Sequence, residues 1–151
     1  MSEDFVREYD IRWSELDPNG HMRHSAYLDY GAQVRLAFLA EHGLTMSRLR
    51  QLGIGPVLFH EEIHYRAEIL GGETIRTDVA LSGLSQNRKH WKMRHRLIKP
   101  DDTVAAIINV HGAWLDLTQR RVIVPPAEIL DLLEPMPKTE DFTEFESGKK
   151  A

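Results

Sequence analysis

Trp13-Ser14-Glu15-Leu16-Asp17-Pro18-Asn19-Gly20-His21-Met22-Arg23-His24-Ser25-Ala26-Tyr27-Leu28-Asp29-Tyr30 takes the chain from a strand-like run, through a tight turn holding one acid, into a long apolar helix. The first backbone N–H groups of a helix have no intrahelical acceptor and stabilise nearby negative charge. A carboxylate at such a junction therefore pairs a base with an oxyanion site. Asp17 also has an ordinary reading, because aspartate before Pro-Asn-Gly is a common turn residue that bonds its own backbone.

Downstream, the hydrophobic period is helical. From Ser25 to His42, Tyr27, Tyr30, Val34 and Phe38 form one apolar stripe, and Leu28, Ala32, Leu36 and Leu39 form a second. A helix apolar around most of its girth is expected to be buried. Ser25 is the expected N-cap and Gly43 the expected stop, with a short helix following over Thr45 to Leu52.

After Gly53-Ile54-Gly55-Pro56 the period becomes two. Val57, Phe59, Ile63, Tyr65, Ala67 and Ile69 are predicted to share one strand face, with Leu58, His60, Glu62, His64, Arg66 and Glu68 on the other. Gly71-Gly72 marks a turn. Strands are predicted near 73–84, 90–98 and 103–117, after a first strand over Phe5 to Trp13. Pro125-Pro126 opens a last helix through Leu133. The expected organisation is one domain over 1–134, followed by a loose polar tail over 135–151.

Composition narrows the function classes. The 151 residues, 42% of them apolar, suit one domain with a real core. A formal charge of −4 argues against a general nucleic-acid binder. With no cysteine there is no disulfide, thiolate metal site or cysteine nucleophile. The acidic start, Met1-Ser2-Glu3-Asp4, lacks the basic and apolar regions of a secretory signal, and no run is long enough to cross a bilayer. No membrane partner is expected, and a cytoplasmic location is.

Strand, long helix and then several long strands give an α+β chain whose simplest form is an antiparallel sheet wrapped around a central helix. One helix cannot cover both faces of such a sheet, so a symmetric homodimer, or a homotetramer built from it, is expected.

The run Asp17-Pro18-Asn19-Gly20-His21-Met22, followed by Tyr27 and the central helix, then Tyr65, Gly72-Glu73 and Asp116 through Pro125, resembles the hotdog-fold acyl-CoA thioesterases of the 4-hydroxybenzoyl-CoA thioesterase type. The resemblance spans roughly Phe5 to Leu133. It implies a hotdog fold and hydrolysis of an acyl-CoA thioester to a carboxylic acid and free CoA. An acyl-carrier-protein thioester is the variant substrate. The resemblance gives Asp17 the catalytic role, as base toward water or as nucleophile, with backbone amides near His24 and Ser25 polarising the carbonyl. A thioester has a good leaving group, so attack and oxyanion stabilisation are the main demands. CoA enters only as part of the substrate, and no metal or redox cofactor is implied. Within the helix only Asp29 and Glu41 could serve as the acid instead.

Asn19 and Gly20 serve turn geometry, and Asn19 could orient the acid. His21 positions Asp17 or water, or is structural. Tyr27 lines the acyl pocket or packs in the core. Arg88 and Lys89, in Ser85-Gln86-Asn87-Arg88-Lys89, either hold CoA phosphates or are solvated turn residues. Many relatives carry an asparagine pair where this chain has Arg23-His24, so hydrogen bonding around the substrate differs here.

His60-Glu61-Glu62-Ile63-His64 matches the H-E-x-x-H zinc protease pattern, but that chemistry needs helical spacing. On a period-two strand the two histidines stand ~13 Å apart. Glu61 then falls on the apolar face, and a bulge or edge position that turns it outward is expected. The competing functional reading is a non-catalytic acyl-CoA-binding or ligand-sensing hotdog module. Hydration or dehydration of acyl thioesters is a third.

Overall fold

The apolar stripe Tyr27-Tyr30-Val34-Phe38 becomes the buried face of α1 (Tyr27–Glu41). Its C-terminus closes as a glycine stop should. Gly43 takes φ +92°, its N–H donates to the Ala40 carbonyl at 3.1 Å, and the Leu44 N–H reaches the Leu39 carbonyl at 2.8 Å. The second stripe is only partly covered: Leu39 is buried, whereas Leu36 is 46% exposed. Ser25 is not the N-cap. A 3-10 turn over His24–Ala26 precedes α1, and the Ser25 hydroxyl instead accepts from Arg23 Nε at 3.1 Å.

The computed structural model describes residues 4–147. Around α1 stand β1 (Phe5–Asp10), α2 (Met46–Leu52), β2 (Ile54–Tyr65), β3 (Thr74–Ser85), β4 (His90–Ile98), β5 (Val104–Asp116), β6 (Arg121–Val122), α3 (Ala127–Leu133) and β7 (Lys138–Phe145). The sheet runs β1-β3-β4-β5-β2, with β6 on β5 and β7 on β3. All pairings are antiparallel except β3 with β7. This is the hotdog architecture: a curled antiparallel sheet with the long helix packed against it. Thr45 caps α2, its side chain accepting the Arg48 N–H at 3.1 Å. No helix among the described residues is long and apolar enough to cross a membrane.

Two further expectations change. The register of β2 on β5 shifts between Leu58 and His60, so Phe59 is an extra residue and the side-chain alternation inverts there. Before the bulge, Pro56 and Leu58, not Val57 and Phe59, face the helix side with Trp91 and Trp114. Phe59 stacks outside, near His90 and His111. The bulge does not turn Glu61 outward. It brings this half-buried side chain to the helix side, where its charge acts on Arg35.

The second change is at the C-terminal end. The run beyond Pro135, expected to be loose, forms β7 on the free edge of β3 past the end of β1. Its acids find partners. Asp141 takes both guanidinium nitrogens of Arg94 at 2.9 and 3.0 Å, and Glu144 takes Arg88 at 3.0 Å. Residues 148–151 of the expected tail and the first three residues lie outside the described range.

Candidate active site

The turn that carries Asp17 is built from its own backbone. Asp17 N–H donates to the His21 carbonyl at 2.7 Å, and Gly20 N–H donates to the Asp17 carbonyl at 3.0 Å. Gly20 takes φ +81°, a left-handed conformation that favours glycine. The chain then pairs across space: Met22 N–H reaches the Ile69 carbonyl at 2.7 Å, and Gly71 N–H reaches the Gly20 carbonyl at 3.1 Å. These bonds pin the acid turn to the segment that leaves β2.

Within that turn, Asp17 Oδ1 accepts the backbone N–H groups of Asn19 at 2.9 Å and His21 at 3.0 Å. The turn role and a free carboxylate oxygen thus coexist in one half-buried side chain, because Oδ1 is held while Oδ2 has no protein partner among the described residues. Asn19 contributes through its backbone. His21 does the same, and its Nε2 lies 3.3 Å from Glu68 Oε2.

Asp17, His21, His24 and Tyr27 line one open cavity of about 400 Å³, together with Tyr65, Arg66 and Glu68. The 3-10 turn at His24–Ala26 begins the helical segment, and its first bonded amide is that of Ala26, donating to the Arg23 carbonyl at 3.0 Å. The N–H groups of His24 and Ser25 precede it and are the orphan donors of that terminus. Tyr27 both packs and lines. It is buried, meets Tyr65 edge-on at 5.0 Å, and its hydroxyl is held protonated above the usual tyrosine range by burial, with Glu68 and Asp17 adding to the effect. The Tyr65 hydroxyl donates to the His24 carbonyl at 3.2 Å, bridging the end of β2 to the helix start.

Arg88 and Lys89 are not brought to this cavity within one chain. Their turn precedes His90, whose row across the sheet passes through Ala113 to Val57, whereas Tyr65 marks the cavity end of β2. The two rows are about 25 Å apart along the strands. Arg88 is ion-paired with Glu144 at 3.0 Å.

Tyr65, Arg66 and Glu68 join the site through long-range pairing, of Met22 with Ile69 and of Gly71 with Gly20, and the sequence reading gave none of them a site role. The H-E-x-x-H run lies on β2, where Glu62 sits between His60 and His64 at 4.0 and 3.3 Å. Among the described residues no group of three or more His, Asp or Glu is arranged to hold a metal.

A family model described as the thioesterase-like superfamily matches residues 11–133. An Aquifex aeolicus protein with a provisional esterase description is 24% identical over 130 residues, covering 86% of this chain and 98% of that one. Among solved structures, a hypothetical Staphylococcus aureus protein in complex with CoA superposes with TM-score 0.81 at 20% identity, over 92% of this chain and 89% of that one. The Staphylococcus aureus DHNA-CoA thioesterase superposes with TM-score 0.77 at 16% identity, over 87% of each chain. At these identities the superpositions establish the shared fold.

Proposed function

Because the chain belongs to the thioesterase-like superfamily, we propose that it hydrolyses an acyl-CoA thioester to a carboxylic acid and free CoA, with Asp17 acting on the thioester carbonyl. The observation that carries this reading is the divided carboxylate of Asp17. Oδ1 is fixed by two amides, and Oδ2 is left for chemistry in a cavity shared with the helix start.

Oδ2 acts as base toward water or as the nucleophile itself. In the base route Oδ2 takes a proton from water as the water oxygen bonds to the carbonyl carbon. In the nucleophile route Oδ2 itself forms the C–O bond, and water then hydrolyses the acyl-aspartate anhydride. In both the C–S bond breaks. The sulfur leaves as the CoA thiolate, which needs little help from a protein acid. The amides of His24 and Ser25 are the donors for the developing oxyanion, the role with the largest usual effect in acyl transfer. Gly20 and the backbone of Asn19 hold the turn. His21 fixes Asp17 through its N–H, and Tyr27 borders the acyl group. The names of two structural neighbours, one bound to CoA and one a CoA thioesterase, support CoA as the carrier.

β2 is a long strand with one edge unpaired among the described residues, the kind of edge that natural sheets cover. A two-fold axis beside its middle, pairing β2 with its copy in antiparallel fashion, sets the start of one β2 near the end of the other. That homodimer brings the partner's Arg88-Lys89 turn toward the Asp17 cavity, where both residues could meet CoA phosphates.

A panel of acyl-CoA thioesters followed by free-thiol release tests the reading. Hydrolysis by the wild-type chain, lost in Asp17→Ala with fold and assembly retained, is the expected result. Binding without thiol release across the panel would instead identify a ligand-binding module.

A further inference from the structure

The two amides at the helix start are held from outside the Asp17 cavity. The His24 N–H shares a peptide group with the Arg23 carbonyl, and the Ser25 N–H shares one with the His24 carbonyl. Both carbonyls are occupied. That of Arg23 accepts the Ala26 N–H at 3.0 Å, and that of His24 accepts the Tyr65 hydroxyl at 3.2 Å. A peptide group is planar, so fixing its carbonyl also aims its N–H, and a bonded carbonyl polarises that N–H into a better donor.

One side chain completes the arrangement. Arg23 Nε donates to the Ser25 hydroxyl at 3.1 Å, and Nη1 donates to the Ser14 carbonyl. The Arg23 backbone N–H reaches the Glu15 carbonyl at 2.8 Å. This half-buried residue therefore ties the 3-10 turn over Trp13–Glu15 to the one over His24–Ala26. Neither partner of the guanidinium is charged, and among the described residues no carboxylate lies within ion-pair distance of it. The Glu15 carboxylate, in the same network, is taken instead by the Tyr30 hydroxyl at 2.5 Å and the Arg12 N–H at 2.9 Å. With Nε one hydrogen bond from the Ser25 side chain, the cation stands within about 6 Å of the Ser25 nitrogen. Arg23 does not line the cavity itself. An unneutralised charge behind two aimed amides favours negative charge in front of them.

On the basis of the hydrolytic reading, we propose that Arg23 is the positioning residue of the oxyanion site. It aims the His24 and Ser25 amides and lends them its charge while touching no part of the substrate.

The test compares Arg23→Gln, Arg23→Lys and Ser25→Ala with the wild-type chain in two assays. One is thiol release from an accepted acyl-CoA. The other is the infrared carbonyl stretch of a bound ketone analogue, with a methylene in place of the thioester sulfur and carbon-13 at the carbonyl. Losing an oxyanion donor outright costs about 10²–10³-fold in kcat, so losing its aim and the charge behind it should cost roughly 10–30-fold in Arg23→Gln, with KM within about twofold. The ketone stretch, lowered by the wild-type site, should rise in the same variant. Arg23→Lys keeps the charge but not the fork, and should recover part of kcat. Ser25→Ala, at an exposed position, keeps both amides and frees the guanidinium. It should give a smaller fall in kcat and a smaller rise in the stretch, and it serves if Arg23→Gln does not fold. A mere brace for the loop would lower stability and leave the ketone stretch of the folded variant unchanged. That result, a loss confined to KM, or an Arg23→Lys no better than Arg23→Gln would overturn the proposal. No thiol release by the wild-type chain would instead sink the hydrolytic reading, while the ketone, which needs no turnover, still reads what Arg23 does to a bound carbonyl.

Discussion

The buried His95 gives the fold a specific acid sensitivity. Burial, with the Arg35 charge adding to it, pushes its imidazole from 6.5 down to about 3, while the bond to the Asp78 carbonyl opposes the shift. The folded chain therefore binds this proton more weakly than the unfolded chain does. The contribution is fully present above about pH 6.5 and is lost as pH falls toward the folded value. Each pH unit inside that window costs about 1.4 kcal/mol. From about pH 6 to pH 4, allowing for partial protonation at both ends, His95 should remove roughly 2–3 kcal/mol of stability. His95→Gln keeps an acceptor for Arg35 and a donor for the Asp78 carbonyl but cannot titrate. Urea denaturation of both chains across this range isolates the difference, because the carboxylates titrate in each. The wild-type chain should lose that much more stability than the variant. Parallel pH curves would refute the placement of a neutral imidazole in the core.

Two further results are expected. Gly112 lies where an added Cβ would overlap the Val57 carbonyl and the Trp91 ring, so Gly112→Ala should cost at least about 2 kcal/mol, seen as a lower urea midpoint. Sedimentation equilibrium should give twice the chain mass or a multiple of it, and a monomer at micromolar concentration would remove the two-fold arrangement on β2.

What the sequence showed clearly was local and periodic. The α1 stripe, the Gly43 stop, the short helix after Thr45 and the alternation that placed His60 and His64 on a strand all follow from residue type and spacing. What it hid depended on pairing. The Phe59 bulge exists only in the register of β2 on β5, and it decides which side chains reach the helix. β7 looked like a solvated tail because its acids are answered by Arg88 and Arg94, distant in sequence. Ser25 looked like a cap until the extra 3-10 turn placed Arg23 on its hydroxyl. The turn around Asp17 was legible, and so was the presence of His21, His24 and Tyr27 near it. A site role for Tyr65 and Glu68, which complete that cavity, was not, since long-range pairings such as Met22–Ile69 and Gly71–Gly20 deliver them.

The central claim is that the free oxygen of Asp17 performs the chemistry while the rest of the cavity binds. The most direct measurement is thiol release from an accepted acyl-CoA by Asp17→Asn, alongside binding of the matching non-hydrolysable thioether. Turnover should fall by about 10²–10⁴-fold with thioether affinity kept within a few-fold of the parent. Turnover near the wild-type rate, or turnover and thioether binding lost together, would contradict it.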